Sequence, residues 1–128
     1  MLDENIDDIH RLQLLKWRIR VRKIGRDIGR AALGDGEIIP LLHNLDGATF
    51  FTRDSGFKRT ALCHPRYSLV FLDVAVREIA RTIRRVLKHP DFDTLSKRLG
   101  AILEVSKEEI KVWRLPQRRL ERHPWPES

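Results

Sequence analysis

The sequence predicts an α/β fold: a mostly parallel central sheet flanked by helices, followed by a C-terminal β-hairpin and a basic tail. Three observations carry this. Two short apolar runs, Ala48 to Thr52 and Ser68 to Leu72, are each followed closely by an aspartate, as expected of strands buried on both faces. Val76, Ile79, Ala80, Ile83, Val86 and Leu87 recur at helical spacing opposite Arg77, Arg81, Arg84, Arg85 and Lys88, the clearest amphipathic helix in the chain. Finally, two apolar segments, 101–105 and 110–115, flank the polar Ser106, Lys107, Glu108 and Glu109, which suits a hairpin.

The elements follow in order. Met1 and Leu2 end a first strand at Asp3, and Asp3 or Asn5 stands where it would cap a helix over about residues 5–16, with Ile6, Ile9, Leu12 and Leu15 at helical spacing. Residues 17–24 alternate apolar with basic, the period of a strand with one solvated face. Gly25, Gly29 and Gly34 punctuate a loop, after which Asp35 would cap a helix to about Asn44 that Pro40 should weaken or bend. Asp46 and Gly47 signal a turn into the strand at 48–52. Residues 55–67 read as a loop with a helical turn near 57–62, and residues 92–99 as a short helix. From Pro116 onward, Arg118, Arg119, Arg122 and three prolines read as an extended, poorly ordered tail. One domain over residues 1–116 with a tail at 117–128 is therefore expected.

Composition narrows the function classes. At 128 residues the chain suits one domain able to bury about two-thirds of its unfolded surface. No apolar run approaches the roughly 20 residues that span a bilayer, and no secretory leader pattern stands at the start, so a cytoplasmic protein with no membrane partner is expected. Cys63 is the single cysteine, which excludes an internal disulfide, and no Cys and His cluster has zinc spacing. Most of the five histidines are expected at the surface, and the three tryptophans are scattered too widely along the chain for a stacking platform. The net charge of +7 is unevenly spread: residues 1–10 carry Asp3, Glu4, Asp7 and Asp8 and no Lys or Arg, whereas Arg11, Lys16, Arg18, Arg20, Arg22, Lys23, Arg26 and Arg30 follow against Asp27 alone. Basic surface attracts a polyanion through counterion release, and an acidic pocket inside it suits a hard cation.

Three acidic segments supply that pocket: Asp3 with Glu4 and Asn5, Asp35 with Glu37, and Asp54 after Thr52 and Arg53. In an open α/β sheet such strand ends converge on one crevice. In order and spacing, Asp3-Glu4-Asn5-Ile6, Asp35-x-Glu37-Ile38, Thr52-Arg53-Asp54-x-x-Phe57 and Gly100-Ala101-Ile102 leading to Arg114-Leu115-Pro116 resemble the short PIN-like proteins related to the ribonuclease toxins of bacterial toxin-antitoxin systems. The resemblance covers residues 2 to about 116. It implies a PIN-like fold and a ribonuclease dependent on Mg²⁺ or Mn²⁺, with Asp3, Glu37 and Asp54 as catalytic metal ligands and Asp35 and Asp73 as further acidic members. Asn5, Thr52 and Arg53 would meet substrate. RNA, an antitoxin protein and a second copy of the chain are the implied partners. The chain departs from the usual pattern of those proteins in having only Met1 and Leu2 ahead of the first acidic segment, so that either the true start lies upstream of this sequence or the first strand is a stub, and in carrying Gly56 where another acid often stands.

Other readings stand beside this one. Asp3, Glu37 and Asp54 each also fit a helix cap or turn role. Residues 95–113 partly imitate a DNA-binding helix-turn-helix, although Glu104 stands at the turn and Ile102, Val105, Ile110 and Val112 favour strand. A non-catalytic nucleic-acid- or protein-binding module on a PIN-like scaffold is the alternative function.

Overall fold

The computed structural model describes residues 1–26, 35–59, 62–114 and 119–126. Its five strands, β1 Ala48–Thr52, β2 Tyr67–Asp73, β3 Ala101–Ser106, β4 Glu109–Arg114 and β5 Arg119–Pro124, lie side by side in chain order as one open sheet. Four α-helices accompany them: α1 Asp8–Lys16, α2 Asp35–Asn44, α3 Ile79–Lys88 and the single turn α4 Leu95–Arg98. The expected α/β class holds, and so does the hairpin, in β3 and β4.

A mostly parallel sheet does not. β1 pairs with β2 and β2 with β3 in parallel, but β3 with β4 and β4 with β5 are antiparallel. The connections explain the change, since parallel neighbours need a crossover of a dozen or more residues and the links after β3 and β4 are far too short for one. The basic tail is also corrected: Arg119–Pro124 is a strand along β4, pinned by two hydrogen bonds of Arg122 Nη1 to Glu109 at 2.8 and 3.0 Å. The period-2 segment 17–24 does alternate its burial, with Ile19 and Val21 packed inward and Arg18, Arg20 and Arg22 outward, but it forms no strand of the sheet. It is tied to the sheet by a bridge from Lys23 to Leu2.

That bridge seats the stub at the start of the chain. Leu2 is bridged in parallel to Phe51 on one side and Lys23 on the other, donates to Arg22 O at 2.7 Å and accepts from Ile24 N at 3.0 Å. Phe51 N donates to Met1 O at 2.8 Å, and Asp3 N to Phe51 O at 2.9 Å. Short as it is, the segment is hydrogen-bonded on both edges.

Strand alternation sorts the core into two layers. Leu2, Phe51, Val70, Leu72, Leu103 and Val105 face α1 and α3. Phe50, Tyr67, Leu69 and Ile102 face α2 and the short 3₁₀ turn Ser55–Lys58, which contribute Ile38, Leu42 and Phe57.

α1 starts later than expected. Asp3 to Ile6 forms a turn closed by Ile6 N to Asp3 O at 3.1 Å, and the N-cap is Asp7, whose carboxylate accepts from Ile9 N at 3.1 Å. The helix also turns a different face inward: Ile6, His10, Arg11 and Leu14 are buried while Ile9, Leu12 and Leu15 are exposed. Arg11 is buried and neutralised by Asp8 through two hydrogen bonds at 2.6 and 3.0 Å, so it does not add to the basic surface. At its C-terminus Arg18 adopts φ 63°, with Arg18 N bonded to Leu15 O and Ile19 N to Leu14 O, a Schellman stop built on arginine where glycine is commoner. Gly29 and Gly34 lie outside the described residues, as does Leu115 of the expected hairpin.

Candidate active site at the carboxyl edge of the sheet

The side chains of Asp3 and Thr52 meet at the end of β1, and the backbone of Asp54 joins them. Because Leu2 and Phe51 point to the α1 and α3 side, Asp3 and Thr52 point together to the α2 side. Asp3 is only 5% exposed, and Thr52 Oγ1 donates to its Oδ2 at 2.6 Å. The same Oγ1 accepts from Asp54 N at 3.0 Å. The hydroxyl thus satisfies a buried carboxylate with its proton and orders the next loop with a lone pair.

Asp54 is the N-cap of the Ser55–Lys58 turn, its Oδ1 accepting from Gly56 N at 2.8 Å. A Cβ at Gly56 would stand 3.1 Å from that oxygen, so glycine here keeps the carboxylate close to the backbone. The cap uses one oxygen. Arg53, between the two, faces the other way: its Nη2 donates to Val74 O at 3.0 Å, just beyond the end of β2, and the side chain is exposed.

The remaining candidates are placed less centrally. Glu37 is exposed near the start of α2, on the same face of the sheet as Asp3. Asp35 is the first residue of α2, and its side chain lies outside the described residues. Asn5 is exposed in the Asp3–Ile6 turn and caps nothing. Asp73 ends β2 opposite Ser106 and opens onto a separate hollow of about 280 Å³ with Glu104 and Glu108. Among the described residues no three His, Cys, Asp or Glu side chains converge on a point that a metal ion would fill.

Two donors are nonetheless compatible with a small hard cation, since Mg²⁺ keeps several waters and is commonly held by one or two carboxylates. The donor chemistry fits best at Asp3 and Asp54, where one oxygen of each carboxylate takes no described hydrogen bond.

Two of the five histidines are buried. His89 is buried, accepting from Asp91 N at 3.0 Å through Nδ1, with Nε2 3.0 Å from Pro124 O. His10 is 7% exposed, and its Nε2 has no hydrogen-bond partner among the described residues. Burial holds the His10 imidazole below its ordinary range; Asp7 opposes this and Arg53 adds to it. It lines a hollow of about 650 Å³ between α1 and the start of α3, with Trp17 and Arg77. The signal was in the sequence: Ile6, His10 and Leu14 stand four apart, a buried stripe with a polar member. Comparison with protein-family models, curated proteins and solved structures gave no match to this chain.

Proposed function

We propose that this chain is a PIN-like, metal-dependent ribonuclease, acting on RNA as the toxic half of a toxin-antitoxin pair in the cytoplasm. The observation that carries the reading is the buried carboxylate of Asp3, hydrogen-bonded by Thr52 at 2.6 Å at the carboxyl edge of parallel strands, with the same hydroxyl bonded to the backbone N–H of Asp54. Burying a carboxylate is costly unless it is satisfied, and a site that keeps one beside a second acid is suited to a cation. Asp3 and Asp54 would hold Mg²⁺ or Mn²⁺, with Glu37 and, on the resemblance alone, Asp35 as further ligands and Asp73 outside the set. The bound cation supplies charge neutralisation at a phosphate and a more acidic water.

The protein's own groups do the rest. Thr52 fixes the carboxylate of Asp3, so its other oxygen keeps one direction. The Ser55–Lys58 turn does the same for Asp54. Arg53 spends one of its five N–H groups on Val74 and has others for a phosphate oxygen. Exposed Ile9, Leu12, Leu15 and Val76 offer an apolar surface suited to a second copy or an antitoxin. Among the described residues, no helix is long and apolar enough to cross a membrane.

The test is cleavage of a labelled RNA over a Mg²⁺ and Mn²⁺ titration, with Asp54→Asn beside the wild type. Metal-dependent cleavage that Asp54→Asn abolishes supports the reading, and undiminished cleavage by that variant removes the site. One observation favours the non-catalytic alternative: the described acids number fewer than three at the site. A binding module would instead retain RNA in EDTA and never form product.

A further inference from the structure

We infer that the arginine stripe of α3 is a track for the phosphate backbone of single-stranded RNA, leading away from the carboxyl edge of the sheet. The inference rests on the ribonuclease reading only in naming RNA as the polyanion. Arg81, Arg84, Arg85 and Lys88 occupy one side of the helix, Arg77 stands in the 3₁₀ turn Val76–Glu78 that leads into it, and Ile79, Ala80, Thr82, Ile83 and Val86 are buried on the other side. Glu78 is the one acid in this stretch, shared at 3.9 Å by Arg77 and at 3.8 Å by Arg81. Among the described residues Arg84, Arg85 and Lys88 have no carboxylate partner.

What holds the two middle arginines is aromatic. The guanidinium of Arg84 sits over the Trp17 ring at 4.7 Å, and that of Arg85 over the Trp125 ring at 4.1 Å. Trp17 follows α1 and Trp125 follows β5, so residues 108 positions apart in sequence flank the same helix. A guanidinium seated on an indole keeps its charge and its N–H edge while losing much of its rotamer freedom, which lowers the entropic cost of gripping a phosphate. Planar arginine and tryptophan surfaces also suit unpaired bases better than a duplex.

The surface is grooved along this line. A hollow of about 400 Å³ is bounded by Arg77, Arg81, Arg85, Lys107 and Trp125. Another of about 490 Å³, bounded by Arg81, Arg85, Lys88 and Trp125, continues it toward the end of the helix. The ten residues of α3 run about 15 Å, at about 1.5 Å per residue, enough for several phosphates. The upper end adjoins Val74, whose carbonyl holds Arg53, so the track meets the Asp3, Thr52 and Asp54 edge from the opposite face of the sheet.

The experiment is fluorescence anisotropy of a short labelled oligouridylate in EDTA over a potassium chloride series, where cleavage plays no part. The triple variant Arg77→Ser, Arg81→Ser, Lys88→Ser removes exposed cations that pack on no aromatic ring, and its thermal melt checks the fold. It should bind at least about tenfold more weakly, with a salt slope smaller by about 2, since each single-strand phosphate contact contributes about 0.7. Arg81→Lys, which keeps the charge, should bind within about twofold of wild type. An unchanged affinity and slope in a folded triple variant overturns the track. So does displacement by polyglutamate as effective as by RNA, which would mark an acidic protein partner, or tighter binding of duplex than of single strand. Wild-type RNA binding without cleavage in Mg²⁺ or Mn²⁺ would sink the nuclease reading and leave the track standing.

Discussion

Thr52 and Asp3 are 49 positions apart in sequence and joined by a 2.6 Å hydrogen bond inside the protein. One hydroxyl ties the start of the chain to the end of β1 and, through Asp54 N, to the loop beyond it. Thr52→Val keeps the shape and removes both bonds, stranding a buried carboxylate. It should lower stability by about 2 kcal/mol, the range for a bond to a charged group. Urea unfolding will show this as a lower midpoint at an unchanged slope, and Thr52→Ser should recover most of it. A valine variant as stable as wild type would mean that Asp3 is satisfied in some other way.

His10 makes stability depend on pH in a stated direction. Its folded pKa lies below the ordinary 6.5 because burial disfavours the imidazolium. Between the folded value and about 6.5 the unfolded chain therefore binds more protons, so stability rises with pH through that window and is fully present above it. Acidifying from neutrality loses it, at no more than about 1.4 kcal/mol per pH unit for one group. His10→Gln cannot titrate and should flatten the stability profile on the acidic side of neutrality. Parallel profiles for the two proteins would show that His10 is charged as readily when folded as when unfolded.

How much of this was legible in the sequence depends on how local each signal is. The continuous apolar runs of β1 and β2 and the arginine-striped α3 stood out because each carries its own periodicity. The phase of α1 is ambiguous in the sequence: Ile6, Ile9, Leu12, Leu15 and Ile6, His10, Leu14 both fit a helical stripe, the first is the more apolar, and packing against α3 selects the second. β5 was unreadable for the opposite reason. Arg119, Leu120, Glu121 and Arg122 are exposed, so nothing in their pattern marks a buried face, and the strand exists because β4 offers it an edge. At the site, the order of Asp3, Thr52 and Asp54 was visible, but their linkage through one hydroxyl required the register of Leu2 against Phe51. That register is a long-range fact.

Gly47 separates backbone strain from crowding. It has φ +82°, in the turn that enters β1, and donates to Arg66 O at 3.1 Å. A Cβ there would stand 2.9 Å from Leu95 Cδ2, but that is the tip of an exposed side chain that can turn away. The left-handed backbone dominates, so Gly47→Ala should cost about 1–2 kcal/mol. Leu95→Ala in the same background should recover little. Full recovery would show that crowding, not conformation, sets the cost.

Trp125 tests whether the C-terminal strand is part of the folded unit. Its indole N–H donates to Ser106 O at 2.9 Å, its ring lies under Arg85 and 5.9 Å from the His89 ring, and it packs against the core layer that α3 covers. Trp125→Ala removes the contact that holds the end of β5 across β3 and α3. It should cost about 2–3 kcal/mol, below the range of about 3–5 for a fully buried aromatic because the side chain is partly exposed. Trp125→Phe keeps an apolar ring for Arg85 and loses only the hydrogen bond, about 1 kcal/mol. Hydrogen exchange locates the effect: the amides of residues 119–124 should lose protection in Trp125→Ala, while those of β1 and β2 should change only as far as global stability falls. A β5 that exchanges freely in the wild type would mean that Arg122 and Trp125 do not hold it, and the alanine variant would then unfold at the wild-type midpoint.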